Sequence, residues 1–318
     1  MPGERPEKTE KNTLMKITAY PFAALAAAMS LLTLAAPARG APLQPGQVPD
    51  EAVWYAHLDV EKTLASTFGV LATEGMTDQE RIRIRIFSRM FGFSLLDDLR
   101  AVTVYGMPGY PDGGVLTLKG KFDREYLVDV VSVNEGYEKF SHGSRTIHHW
   151  IDEKKGKQSF GVFADDDTLV LADSEALIRS ALSAIDGRKT GRVRTPQGPS
   201  WASITEAALV VGVADFGRMS HLEPEAAILK EIASAHLAAA ELGEELKIVM
   251  SLEAIAESSA VNLQRMADGL LAFAALNGDK PGLGRLASAI TINRKGQQVE
   301  GTFSFPVEEL VGILQILR

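Results

Sequence analysis

The chain has 318 residues, 46% of them hydrophobic and 23% charged, with a formal net charge of −8 and no cysteine. That is about two domains' worth of chain with the composition of a globular protein that can build a real core. The acidic balance argues against a phosphate backbone as partner. The missing thiols exclude disulfides, thiolate metal sites, cysteine nucleophiles and lipidation of an N-terminal cysteine.

Tyr20 to Ala36 is the longest apolar stretch near the start. Lys11 and Lys16 precede it, and the small residues Ala36, Ala38, Gly40 and Ala41 follow it with several cleavage frames. This is the order of a secretory signal, with a basic n-region, an apolar h-region and a small-residue exit. The run is short and alanine-rich for a membrane span, which needs about 20 strongly apolar residues; an uncleaved anchor is the alternative. Starting at Met15-Lys16 gives a compact signal, with residues 1–14 as a charged leader upstream. Residues 41–49, with Pro42, Pro45, Gly46 and Pro49, are expected to form a linker.

Glu51 to Asp59 is expected as a strand, with Trp54, Ala56, Leu58 and Val60 on one face by period two and Tyr55, His57 and Asp59 on the other. Thr77 and Glu80 have capping-box spacing and start a helix patterned by Ile82, Ile86 and Met90. Strands follow at Asp97–Val104 and Gly114–Leu118. Further on, Leu169 to Ala172 is a strand, Asp173 caps a helix through Ile185, and Gly187 stops it. Residues 187–201 are rich in Gly, Pro, Arg and Lys and have no periodicity, as a linker would.

The second half echoes the first. Glu206–Asp215 matches the opening strand, Glu244–Ser251 matches Asp97–Val104, Ser259–Leu263 matches Gly114–Leu118, and Thr302–Leu310 matches Leu169–Leu177. Pro224 and Pro306 sit where helices begin, a position that tolerates proline. The expected fold is α+β, with two related β-α-β-β-α-β-β-α units at residues 50–186 and 202–318, antiparallel-rich sheets backed by helices, after a signal peptide in residues 1–40. Repetition of so long a unit points to duplication of a domain.

The string from Phe91 to Gly106 (Phe-Gly-Phe-Ser-Leu-Leu-Asp-Asp-Leu-Arg-Ala-Val-Thr-Val-Tyr-Gly), followed by Leu118 to Asp123 opening a helix, resembles a loosely defined group of exported bacterial proteins. These carry a duplicated α+β domain of unknown function. The resemblance covers most of residues 48–318 and rests on weak, hydrophobic motifs. The group's usual proline before the second strand is replaced here by Ser94-Leu-Leu. The resemblance implies the fold and no functional residue.

The sequence has no nucleophile elbow, zinc-protease helix, Walker loop or dinucleotide fingerprint. His148 and His149 are adjacent, so in a strand they point to opposite faces and do not chelate one ion. Asp165-Asp166-Asp167, between two short strands, has turn chemistry and not the spacing of a calcium loop. The face carrying Tyr55, His57 and Asp59 is either covered by the other unit or a ligand surface. The segment that invites a partner is Arg81-Ile-Arg-Ile-Arg-Ile86. On a helix, Arg81, Arg85 and Arg89 form a basic stripe on an acidic protein. That stripe could meet an anionic membrane surface, a polysaccharide or a protein; neutralisation by nearby carboxylates is the competing account. No catalytic residue, cofactor or metal is assigned. The expected function is that of an exported, periplasmic or secreted, non-enzymatic binding or scaffold protein. The alternatives are an extracytoplasmic hydrolase with a loop-assembled site and a signal-anchored, membrane-associated partner protein.

The export expectation is checked by intact mass. Protein recovered from the periplasm or medium should begin near residues 37–42, whereas a full-length cytoplasmic chain would contradict it.

Overall fold

A computed structural model describes residues 40–317, apart from 45, 112, 153–155, 188–198, 220–223 and 277–281. Of the expected signal peptide only Gly40 falls among them, and most of the expected 187–201 linker also lies outside the described residues. The first half comprises β1 (Trp54–Asp59), α1 (Val60–Ala65), α2 (Thr67–Glu74), α3 (Asp78–Phe91), β2 (Leu99–Gly106), β3 (Val115–Gly120), α4 (Arg124–Ser132), β4 (Glu138–His142), β5 (Arg145–Asp152), β6 (Lys157–Phe163), β7 (Thr168–Ala172) and α5 (Glu175–Ile185). The second comprises α6 (Pro199–Ala207), β8 (Val210–Asp215), 3₁₀ turns at Phe216–Arg218 and Pro224–Glu231, β9 (Ile232–Leu242), β10 (Glu245–Ala254), α7 (Glu257–Leu276), α8 (Leu283–Ser288), β11 (Ile290–Lys295), β12 (Gln298–Pro306) and α9 (Val307–Leu317).

Among the described residues the twelve strands form one sheet, in the order β11-β12-β10-β9-β8-β1-β2-β3-β7-β6-β5-β4. Every neighbouring pair is antiparallel. The expected separate sheets are therefore one continuous sheet, because β1 pairs with β8 from Trp54↔Ala214 to Leu58↔Val210. Outward from this seam the strands run β1-β2-β3-β7-β6 on one side and β8-β9-β10-β12-β11 on the other. The first side adds the hairpin β5-β4.

Two of the expected matches between the halves need correction. By place in the sheet, β2 answers to β9 and not to Glu244–Ser251, which lies in β10 beside β12. Ser259–Leu263 is not a strand. It lies in α7, where Ser259, Ala260 and Leu263 share the buried side at helical spacing. Strand β9 has the alanine-rich sequence IASAHLAAAEL, which intrinsic preference would make helical. Pairing on both edges, with β8 and β10, overrides that preference. Its small side chains also let Trp201 and Ile204 of α6 approach Ala238 and Ala240 in one buried cluster.

The face of β1 that carries Tyr55 is not open, and its cover comes from the first half and not from the other unit. It is packed under Leu43, Val48, Ala52 and α5, in a core that includes Tyr55, Tyr105, Val162, Val170, Ile178 and Leu182. The expected 41–49 linker is accordingly a strap: Val48 is buried and Leu43 packs on the same core. The opposite face holds Trp54, Ala214, Leu252 and Val299, with Phe216, Ala260 and Leu263 packed on it.

A shared sheet ties the two halves into one unfolding event. In single-tryptophan variants that retain either Trp150 or Trp201, urea unfolding by fluorescence should give coincident midpoints. Separate midpoints would mean that the β1–β8 seam does not couple the halves.

Candidate functional site

Helix α3 forms as its sequence dictates. Thr77 Oγ1 accepts from the Glu80 amide at 3.3 Å, and Glu80 Oε2 accepts from the Thr77 amide at 2.8 Å, a complete capping box. Gly92 ends the helix at φ +69°, a conformation that disfavours a side chain. A Cβ there would also strike the Tyr126 ring. Tyr126 donates its hydroxyl to the Arg89 carbonyl at 3.0 Å and ties α4 to α3.

The side that α3 turns inward is not the expected one. Ile84 is its buried residue, with Phe87 and Phe91 half-buried beside it. Phe87 meets Phe93 edge-on at 5.5 Å, Phe93 meets Phe122 edge-on at 5.1 Å, and Phe122 reaches Phe163 at 6.4 Å. Each such pair contributes about 0.5–1.5 kcal/mol beyond its buried area. This ladder draws the 84/87/91 side against the sheet and rolls Ile82, Ile86 and Met90 outward, where they are 50%, 54% and 54% exposed. At 100° per residue these three lie in one narrow stripe, with Arg83 along one edge and Arg85 and Arg89 along the other.

The three arginines expected to form one contact surface differ in what they bond. The Arg81 guanidinium donates to the carbonyls of Thr73 at 2.7 Å, Glu74 at 3.2 Å and Met76 at 3.4 Å. It caps the open end of α2. Arg85 and Arg89 are exposed, and neither side chain makes an ion pair or hydrogen bond among the described residues. Neutralisation by the protein's own carboxylates, the competing account of this stripe, is not what these two residues do.

A second exposed apolar surface lies on α7, a feature that nothing in the sequence singled out. Its first turns are buried through Ala260 and Leu263, but Met266, Leu270 and Phe273, spaced four and three apart, face outward with Leu276. Asp268 is the one charged side chain from Met266 to Leu276. Helix α7 packs on α8, whose N-cap Gly282 abuts Ile313 of α9. Helix α9 packs on α2, which Arg81 of α3 caps. The two exposed helices thus stand at opposite ends of one chain of helix contacts. No described helix is long and apolar enough to cross a membrane.

The remaining candidates are structural. His148 and His149 take opposite faces: the Tyr137 hydroxyl lies 2.8 Å from His148 Nδ1, while His149 lies against Phe160 with ring centroids 4.6 Å apart. Burial, with Lys139 nearby, holds His148 below the usual imidazole range. A shallow depression beside it is lined by Lys139, Phe140, Ser141, Thr146 and His148, with no carboxylate among them. Asp165–Asp167 form the expected β6–β7 turn, in which Asp165 accepts from the Asp167 amide at 3.1 Å. Arg124 bonds Asp166 at 3.0 Å and Arg100 lies 3.7 Å from Asp167. Among the described residues no group of three His, Cys, Asp or Glu side chains could hold a metal.

Under the strap, His57 and Asp59 are 3% and 1% exposed. His57 Nε2 donates to the Ala41 carbonyl at 3.0 Å, so Nδ1 accepts from the Thr103 hydroxyl at 2.8 Å, a tautomer fixed by its partners. Burial lowers its pKa to about 4. Asp59 accepts from the amides of Ala41 and Lys62, both at 2.9 Å, and burial raises its pKa.

No protein-family model and no curated protein matches the chain. Among solved structures it is similar to TP0453 in three crystal forms. Crystal form I is 12% identical with a TM-score of 0.47, over 87% of this chain and 98% of that one. Form III gives 12% and 0.44 over 86% and 98%, and form IV gives 11% and 0.43 over 86% and 97%. These distant likenesses name no family.

The different duties of the arginines are separable by mutation. Arg81→Gln should cost about 1–2 kcal/mol of stability, as loss of charge-assisted bonds to a helix end does, whereas Arg85→Gln should stay within about 0.5 kcal/mol. Chemical denaturation of the two variants checks this, and equal effects would contradict it.

Proposed function

We propose that this is an exported, non-enzymatic binding protein that docks peripherally on an anionic lipid surface through α3. The observation that carries the reading is the outward stripe of Ile82, Ile86 and Met90, edged by Arg83, Arg85 and Arg89, on a protein of net charge −8. An interfacial helix lays an apolar stripe into the boundary between headgroups and acyl chains and holds cations at headgroup level. Arginine suits that place because its planar fork binds phosphate oxygens in pairs. A polysaccharide would call for exposed rings and hydrogen-bonding side chains, and the α3 stripe is aliphatic.

The energetics point to weak, reversible attachment. Each arginine near an anionic surface contributes about 1 kcal/mol. Three half-exposed aliphatic side chains add a fraction of the roughly 1.5–3 kcal/mol of full burial each. Repulsion between the acidic body and the surface opposes both.

Co-sedimentation with phosphatidylglycerol–phosphatidylcholine vesicles tests the reading. The wild type should be retained at low ionic strength, released by salt, and not retained on phosphatidylcholine alone. Arg85→Gln/Arg89→Gln should weaken retention roughly 10- to 30-fold with the fold intact. Wild-type protein that stays in solution at low ionic strength would contradict the proposal.

A further inference from the structure

The buried pair His57 and Asp59 holds a piece of main chain, and that piece lies at the expected export-processing site. We infer that the chain is cleaved between Gly40 and Ala41 and that the new Ala41 ammonium binds Asp59 in a site built for it. The inference rests on the export reading but not on lipid binding.

Four observations converge. Asp59 is 1% exposed, and its two oxygens accept from the Ala41 and Lys62 amides at 2.9 Å. A buried carboxylate normally needs a cation, yet the nearby Lys62 ammonium is directed to the Glu206 carbonyl at 3.1 Å. The Ala41 nitrogen is thus in contact with a buried acid on which Lys62 acts through its field, the smallest of the influences on Asp59, without forming an ion pair. His57, 3% exposed, donates to the Ala41 carbonyl at 3.0 Å, so both polar groups of this one residue are gripped by β1. Gly40 turns at φ +56°, and a Cβ on it would lie 3.0 Å from Asp59 Oδ2; a side chain is disfavoured there. Finally, Ala38 and Gly40 stand three and one residues before the Ala41 nitrogen, the small-residue frame of signal cleavage. The frame set by Ala36 and Ala38 would instead leave Arg39 as first residue, with a neutral amide still facing Asp59.

The step is hydrolysis by an export signal peptidase. Water adds across the Gly40–Ala41 peptide bond, its hydroxyl going to the Gly40 carbonyl carbon and its proton to the Ala41 nitrogen. At neutral pH the released groups are a carboxylate and an ammonium. The ammonium keeps the bond to Asp59 and turns it into an ion pair. Processing then locks the strap that begins at Ala41 and carries Leu43 and Val48 over the Tyr55 face, so the exported form is tighter than its precursor.

Two measurements test this. Intact mass of the chain exported to the periplasm of a Gram-negative host should begin at Ala41; an exported chain beginning at Arg39 or elsewhere overturns the cleavage assignment. Independently of export, protein released from a scarless fusion with Ala41 first is compared with the same protein acetylated on that amine. The free amine should raise the thermal midpoint by roughly 5 °C. Asp59→Asn, which retains the helix-capping oxygen for Lys62, should abolish the difference. Equal midpoints for the free and acetylated forms would overturn the site.

Discussion

The structure depends on the antiparallel pairing of β1 with β8. Five residue pairs, from Trp54↔Ala214 to Leu58↔Val210, close the gap between two half-sheets and leave neither with a free inner edge. An unpaired strand edge buried at the centre of a protein would strand a row of amide and carbonyl groups, each of which costs free energy unless bonded. The same β1 receives the strap on one face through His57 and Asp59, and its last residue, Asp59, caps α1. Helix α1 therefore starts directly from a strand paired along both edges.

Helix α3 shows how a short segment can serve packing and presentation together. Its apolar residues do not form one stripe but two. The 84/87/91 side is engaged by the phenylalanine ladder running through Phe93, Phe122 and Phe163, and the 82/86/90 side is left outside. The arginines between the stripes do different work because of what lies next to each. Arg81 lies within reach of the open carbonyls of α2, whereas Arg85 and Arg89, one and two turns further on, have passed beyond them.

Much of this was legible in the sequence where local chemistry decides the outcome. The Thr77–Glu80 box marked the start of α3, alternation marked β1 and β8, the aspartate run marked the β6–β7 turn, and the opposed faces of His148 and His149 followed from strand geometry. The cap of α5 was expected at Asp173 and falls one residue later, at Ser174. What failed depends on distant partners. The alanines of β9 carry no strand signal of their own and become a strand only between β8 and β10. Ser259–Leu263 reads as a counterpart of Gly114–Leu118, but its residues bury at helical spacing. Which stripe of α3 faces inward was decided by Phe122 and Phe163, far along the chain. The duty of Arg81 was invisible because it depends on where α2 ends.

We propose that the continuous sheet holds α3 against an anionic surface without itself rearranging. Hydrogen exchange read by mass spectrometry, with and without phosphatidylglycerol vesicles, tests it most directly. The account predicts slower exchange in residues 78–91 on the vesicles, with the amides of β1 and β8 as protected as in the free protein. Faster exchange across β1 and β8 on binding, or no change in α3 under conditions where the protein is vesicle-bound, would contradict it.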